Sequence, residues 1–282
     1  MKTTFVAIAN LSGIACASDS DHTIYQLSKQ LPLAIAVNAH SSFPWGSVIN
    51  DYLLQEAPQE HELFEEYIND FEQFLSKAKP SKSAENLNHD DAKVIFMGYG
   101  SNNIFPSLCE AIAGCHPDIG ALCFMKKEIT SLSQECFAAI DYLGDLDSVS
   151  TLLWGTNQSS KNFCLKQHIK VYEEFLKRIR NKFKGTKYEQ QVEEQLSLWD
   201  AEETIKETIN DLSLGYINDV LRGIGTFSIQ DMVDTAETLV NAEVRLDHLS
   251  QGLKAPAQST SEIAVITRIE GVTWIKHSLF AL

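Results

Sequence analysis

TTFVAIANLSGIACASDSDHTIYQLSKQLPLAIAV, residues 3–37, is the stretch that decides the fold. Residues 3–9 and 13–18 are rich in small and β-branched apolar side chains, and the link from Asn10 to Gly13 has the composition of a tight hairpin turn. Two shorter apolar runs follow at 24–27 and 33–37, separated by a segment in which Pro32 breaks the strand pattern. The sequence therefore predicts an opening hairpin and then two further strands.

Two amphipathic helices are predicted next, one after Pro44 and one after Pro58, because apolar residues recur there at helical spacing. The polar, turn-rich segment 80–91 predicts an exposed loop, and strands are predicted at 93–97 and 121–125. The expected buried faces consist of Trp45, Val48, Ile49, Tyr52 and Leu53 in the first helix, and of Leu63, Phe64, Tyr67, Ile68, Phe71, Phe74 and Leu75 in the second.

The C-terminal half is predicted to be mostly helical before a final hairpin. Residues from about 147 to 215 mix charges of both signs around apolar positions, which indicates a charged helical insertion. A helix is predicted over 227–249 with Ser228 as its N-cap, and a hairpin over 263–276 around Glu270-Gly271. The order is typical of an α+β protein, which we expect to form one domain over 1–282. The inward face of the 227–249 helix is expected to hold Met232, Ala236, Leu239, Val240 and Leu246.

Composition narrows the classes of function. A formal charge of −15 disfavours a nucleic-acid partner, because such binding depends on Lys and Arg. No metal or cofactor is expected, since the six cysteines contain no C-x-x-C pair and the eight histidines show no metal-ligand spacing. Residues 1–17 also have some features of a signal peptide, but Asn10, Ser12 and Gly13 favour strands. We expect a cytoplasmic protein with no membrane partner.

The opening stretch resembles the start of proteasome β-type subunits, which are N-terminal nucleophile (Ntn) hydrolases. In the resemblance, Thr3 corresponds to the nucleophile and Asp19 lies sixteen residues further on, as in the family. Lys29 corresponds to the catalytic lysine if the intervening loop is shortened. The resemblance implies a four-layer αββα sandwich and an assembly of several identical subunits.

Two later stretches share the resemblance. VIFMGYGSNNIFPSLCEAIAGC, residues 94–115, is similar to a strand, a Gly-Tyr turn and a return strand of these proteins. SEIAVITRIEGVTWI, residues 261–275, is similar to their final strand pair. The segment from Ser42 to Trp45 is similar to a poorly characterised bacterial group of proteasome-like proteins. Together the matches cover the first 57 residues, 93–125 and 227–277.

The chemistry that the resemblance implies is amide hydrolysis of a peptide or protein. A free α-amine on Thr3 would take the proton of its hydroxyl, and Lys29, held by Asp19, would supply positive potential. Backbone N–H groups in the turn of Asn38, Ala39 and His40 would form the oxyanion hole, with Ala39 named for this role and either Ala39 or His40 in the position where the family usually has a glycine.

Two functions remain open from the sequence. Met1 and Lys2 precede Thr3, so hydrolysis through Thr3 requires their removal, and Asp247 is only a loose counterpart of the family's supporting acid. The first hypothesis is a self-assembling threonine hydrolase. The second is a non-catalytic protein that keeps the Ntn fold and uses the acidic helical insertion to bind another protein.

Overall fold

The computed structural model of this 282-residue chain describes residues 3–28, 31–41, 43–55, 61–77, 93–115, 122–126, 129–144, 150–151, 153, 158–197, 203, 215–253 and 260–277. The chain divides into two compact units, one of Met1–Val149 with Leu221–Leu282 and one of Ser150–Val220. The second unit overlaps the predicted insertion at about 147–215. The predicted loop over 80–91 lies outside the described residues.

The first unit contains eleven strands among its described residues, and they form two antiparallel sheets. One sheet has the order β11-β10-β2-β1-β9, and the other has the order β3-β4-β5-β6-β7 with β8 paired to β6. Numbered along the chain, the strands are β1 Phe5–Asn10, β2 Gly13–Ser18, β3 Ile24–Gln26, β4 Leu33–Val37, β5 Lys93–Gly98, β6 Ser107–Cys115, β7 Leu122–Lys126, β8 Thr130–Ser131, β9 Ala138–Leu143, β10 Glu262–Thr267 and β11 Gly271–Lys276.

Both predicted hairpins are confirmed. Strands β1 and β2 pair from Phe5 opposite Ser18 to Asn10 opposite Gly13, which leaves a two-residue turn between them. Strands β10 and β11 pair across a turn that ends at Gly271. The side chain of Asn10 accepts a hydrogen bond from the backbone N–H of Ser12, so a local contact closes the first turn.

Apolar side chains of both sheets form one buried cluster. Small residues of the first sheet, such as Ala7 and Ala9, share it with Ala34, Ala36 and Ile95 of the second. Alternate residues of β4 and β5 point the other way and join a second cluster with two helices, α1 (Trp45–Gln55) and α2 (Phe64–Lys77). The predicted α+β class is therefore confirmed.

A long helix of this unit packs against the first sheet. This helix, α5 (Ile229–Ser250), contacts β1 and β2. Its start agrees with the prediction, because Ser228 caps it and forms a reciprocal capping box with Asp231. Two predicted core residues are placed wrongly: Leu246 of α5 is 42% exposed, and Leu63, which precedes α2, is 54% exposed. Helical spacing predicted that both would be buried. Leu63, however, precedes α2, and Leu246 lies near the C-terminal end of α5, after the last buried residue, Glu243.

The described residues of the second unit include the helices α3 (Gln158–Phe183) and α4 (Glu189–Ser197), and further helical residues at 150–151, 153, 203 and 215–220. Most of their described side chains are exposed, in keeping with the charged composition. Arg180 of α3 pairs with Glu193 of α4 at 3.0 Å, so an ion pair joins the two helices.

Across the described part of the chain, every helix is too short or too polar to cross a bilayer.

Candidate active site

The ends of β1 and β2 bring Thr4 and Asp19 together. Because the two strands are antiparallel, the residue before β1 lies beside the residue after β2. The backbone N–H of Thr4 donates to Asp19 Oδ1 at 2.8 Å, and the backbone N–H of Asp19 donates to the Thr4 carbonyl at 3.1 Å. The Asp19 carboxyl is thus fixed directly beside the chain at Thr3-Thr4.

The turn after β4 reaches Thr3 from the other sheet. The Thr3 hydroxyl donates to Asn38 Oδ1 at 2.9 Å and accepts from the backbone N–H of Ala39 at 3.1 Å. The backbone N–H of His40 donates to the same Asn38 oxygen at 3.0 Å. Thr3 is only 1% exposed, so its hydroxyl is held by protein groups on both its donor and its acceptor side.

Burial and hydrogen bonds have opposite effects on the pKa of the Asp19 carboxyl. Ser20 Oγ donates to Asp19 Oδ1 at 2.9 Å, and the same Ser20 oxygen lies 3.4 Å from His40 Nε2. Burial raises the pKa of the Asp19 carboxyl above its ordinary value, and hydrogen bonds from Thr4 and Ser20, with a smaller effect of the His40 charge, oppose the rise. Burial is the larger effect, so Asp19 holds a proton more readily than a solvated aspartate does.

The start of β10 completes this end of the unit. Ser261 donates its backbone N–H to the Ser18 carbonyl at 2.7 Å and its hydroxyl to the Asp19 carbonyl at 3.0 Å. The next residue, Glu262, is fully buried, and its carboxylate lies against the loop between β2 and β3. The β2–β3 loop is therefore held by the first residue of β10 and by the residue before it.

Glu262 binds three consecutive backbone N–H groups. His22 donates to Oε1 at 3.0 Å, and Thr23 and Ile24 donate to Oε2 at 3.1 and 3.0 Å. The Nδ1 atom of His277, after β11, lies 3.3 Å from Oε1. His22 has a φ of 62°, an uncommon value for a residue with a side chain, and the buried carboxylate holds it in that conformation.

Gly144, the residue directly after β9, packs against the backbone of Thr3. Its φ is +101°, and a Cβ atom added there would lie 2.3 Å from the Thr3 carbonyl oxygen. Only glycine allows both this backbone conformation and this close approach. The position of Thr3 is thus fixed from β9 as well as from the Asn38 turn.

Comparisons with known proteins leave the site to be interpreted from its geometry. No protein-family model matches this chain. A search of curated proteins gives no match either. The resemblance to proteasome β-type subunits consequently depends on the motifs quoted above and supports proposals about function.

Three of the four predicted site residues lie together. Thr3, Asp19 and Ala39 belong to one hydrogen-bonded cluster, although they come from three different segments. Lys29, the fourth, lies outside the described residues. Asp247 is exposed on the last turn of α5, where its carboxylate accepts from Gln251, and it takes no part in the cluster described above.

Several site residues were not predicted. The Asn38 and His40 side chains belong to a turn whose backbone alone was proposed to act, and Ser20 stands next to a predicted residue. Their proximity to predicted positions is the signal that could have found them. Ser261 and Glu262 lie more than 240 positions from Thr3 and show no local pattern. Within the described residues no group of three or more potential metal ligands occurs.

Proposed function

We propose that this protein is a proteasome-like N-terminal threonine hydrolase that cleaves an amide bond of a peptide or protein through Thr3. The observation that carries the proposal is the 3.1 Å hydrogen bond from the Ala39 N–H to the Thr3 hydroxyl. The resemblance assigns the Ala39 N–H to the oxyanion hole and Thr3 as the nucleophile, and these two groups lie side by side. Asp19 is fixed one residue further along the chain, at Thr4.

We also propose that the first unit is a four-layer αββα sandwich of the Ntn type. Support comes from the helices α1 and α2 packed on one sheet, the apolar cluster shared by the two sheets, and α5 packed on the other sheet. The strand order supports it further, because the opening hairpin lies at the centre of its sheet with β10 on one side and β9 on the other. This arrangement brings Thr3 to the end where both sheets meet.

The proposed reaction requires a free α-amine on Thr3. That amine takes the Thr3 hydroxyl proton as Oγ1 attacks the carbonyl carbon of the substrate, and the Ala39 N–H stabilises the developing oxyanion. The C–N bond breaks as the leaving amine accepts the proton, and an ester to Thr3 remains. Water then hydrolyses the ester and regenerates the hydroxyl. In this scheme Lys29 keeps its proposed role of supplying positive potential, and the subunits assemble into a homo-oligomer.

One observation favours the second function, a non-catalytic Ntn-fold protein that binds another protein. Thr3 is 1% exposed, and its hydroxyl already has an acceptor in Asn38 and a donor in Ala39. A hydroxyl held in this way stabilises the junction of the two sheets without any chemistry. The decisive question is therefore whether Thr3 reacts once its amine is free.

Deletion of Lys2 tests the proposal, because removal of the initiator methionine then leaves Thr3 at the N-terminus. The freed chain is incubated with a β-lactone probe that acylates an N-terminal threonine, and intact mass is measured. We expect one adduct on the freed chain and none on chains that keep Met1 and Lys2. Thr3→Ala should abolish the adduct, and the matched control Thr4→Ala should retain it.

A freed chain that keeps its native circular dichroism spectrum and forms no adduct would overturn the hydrolase proposal. The same result would favour the non-catalytic function. Size-exclusion chromatography with light scattering on the same samples tests the proposed homo-oligomer separately.

A further inference from the structure

His40 is exposed to solvent, yet two parts of it belong to the Thr3 cluster. Its backbone N–H donates to Asn38 Oδ1, the atom that also accepts the Thr3 hydroxyl. Its imidazole Nε2 lies 3.4 Å from the Oγ atom of Ser20, the residue that donates to Asp19. His40 thus contacts both Asn38, which binds Thr3, and Ser20, which binds Asp19.

The hydrogen bonds of Ser20 determine which atom donates in the contact between Ser20 and His40. A serine hydroxyl has one proton, and in Ser20 that proton is donated to Asp19 Oδ1 at 2.9 Å. Ser20 Oγ can therefore only accept from His40, so Nε2 must carry the proton of this bond. The chain of donors runs from His40 Nε2–H through the Ser20 hydroxyl to the Asp19 carboxyl, which also accepts the Thr4 N–H.

These bonds close into a ring. Starting at Thr3, it passes through the Asn38 side chain, His40, Ser20 and Asp19, and it returns along the backbone from Thr4. A ring of this kind fixes the Asn38 turn against Thr3 from two directions. Without the imidazole, the turn keeps its backbone bonds but loses its link to Asp19.

We propose that His40 is a positioning residue for Thr3: its imidazole, acting through Ser20 on Asp19, holds the Asn38–His40 turn so that Ala39 N–H meets the Thr3 hydroxyl. The inference rests on the proposed function for its catalytic meaning, and its structural part can be tested without activity. The charge on His40 also lowers the pKa of Asp19, as the Ser20 hydrogen bond does, which agrees with a direct link among the three groups.

Substitutions of His40 separate the link from the charge. His40→Ala removes both, whereas His40→Gln keeps an Nε2–H donor of similar reach and removes the charge. Ser20→Ala breaks the chain at its middle. His168→Ala is the matched control, since His168 is an exposed histidine of α3 in the other unit.

Two quantities are measured in the full chain: the hydrogen exchange of the Ala39 amide, and the pKa of Asp19 by carbon-13 NMR. His40→Ala and Ser20→Ala should lower the protection of the Ala39 amide about fivefold, the effect of one ordinary hydrogen bond. Both should also raise the Asp19 pKa. His40→Gln should keep the Ala39 protection within about twofold and raise the Asp19 pKa, whereas His168→Ala should change neither.

Unchanged Ala39 protection in His40→Ala would overturn the inference, whatever the change in the Asp19 pKa, because loss of the His40 charge alone raises that pKa. The acylation rate of the freed chain by the β-lactone probe supplies the catalytic readout, with a fall of about fivefold expected for His40→Ala and recovery in His40→Gln. If no variant or parent reacts while the NMR changes occur, the proposed function fails and the positioning role stands.

Discussion

Asn38 Oδ1 lies 2.9 Å from the Thr3 hydroxyl and accepts its hydrogen. This bond joins the residue after β4 of one sheet to a residue just before β1 of the other. Because Thr3 is almost completely buried, water does not readily replace the acceptor when it is lost. The stability of the junction therefore depends on this pair of side chains.

Asn38→Ala should lower the free energy of unfolding by about 1–3 kcal/mol, since it leaves a buried hydroxyl without its acceptor. Thr3→Val is the matched background, because valine keeps the shape of threonine and lacks the hydroxyl. In a double-mutant cycle measured by urea denaturation, Asn38→Ala should have a smaller effect in the Thr3→Val protein. Equal effects in the two backgrounds would show that the bond adds nothing to stability.

Asp19→Asn should become more favourable relative to the parent protein as pH rises. The folded-state pKa of Asp19 is raised above the ordinary value, so the folded protein binds this proton more tightly than the unfolded chain does. The parent thus loses stability as pH rises from about the unfolded pKa of 3.9 through the folded one. Asparagine avoids the charge, and its carbonyl can take the place of Oδ1, which accepts from both Thr4 and Ser20.

The measurement is thermal or urea unfolding of Asp19→Asn and its parent between acid and neutral pH. Asp51→Asn, at an exposed position of α1, is the control and should show a much smaller change with pH. A stability difference between Asp19→Asn and the parent that stays constant with pH, or shrinks as pH rises, would contradict the predicted direction of the Asp19 pKa.

Local patterns predicted most of the secondary structure but less of the site. The hairpin of β1 and β2 and the start of α5 follow from turn and capping residues that lie next to each other in sequence. The cluster of Thr3, Asp19 and Ala39 came from the resemblance to a family, because no local periodicity connects those residues. The expectations for function stay predictions until Thr3 is tested.

Long-range pairing explains what the sequence did not predict. Strand β9 pairs with β1 across more than 120 positions, and no strand is predicted from the sequence over 138–143. Glu262 lies in a stretch that the resemblance predicts to be a final strand pair, and nothing near it in sequence indicates that it binds the loop at His22–Ile24. Contacts of this kind depend on sheet order, which composition and periodicity do not specify.

Glu262→Gln should lower the free energy of unfolding by roughly 1.5–3 kcal/mol. Both carboxylate oxygens accept backbone N–H groups. In glutamine an NH₂ group replaces one of these oxygens, so its N–H donors would face backbone N–H donors and the bonds on that side would be lost. Glu270→Gln is the matched control in the same hairpin, at an exposed turn position, and should change stability by less than about 0.5 kcal/mol. Similar effects of the two changes in urea denaturation would show that the buried carboxylate is not an anchor.

Gly144→Ala should destabilise the first unit more than Gly271→Ala does. Both glycines have positive φ values, +101° and +71°, so each alanine incurs the penalty of a left-handed backbone. A Cβ atom at Gly271 would meet nothing within 4 Å, whereas at Gly144 it would lie 2.3 Å from the Thr3 carbonyl oxygen. In urea denaturation we expect a loss of about 1 kcal/mol at Gly271 and roughly 2–4 kcal/mol at Gly144. Because the clash falls on Thr3, Gly144→Ala should also reduce the amide protection of Ala39 in hydrogen exchange, and Gly271→Ala should not. Equal losses at the two positions would mean that the β9 end does not fix Thr3.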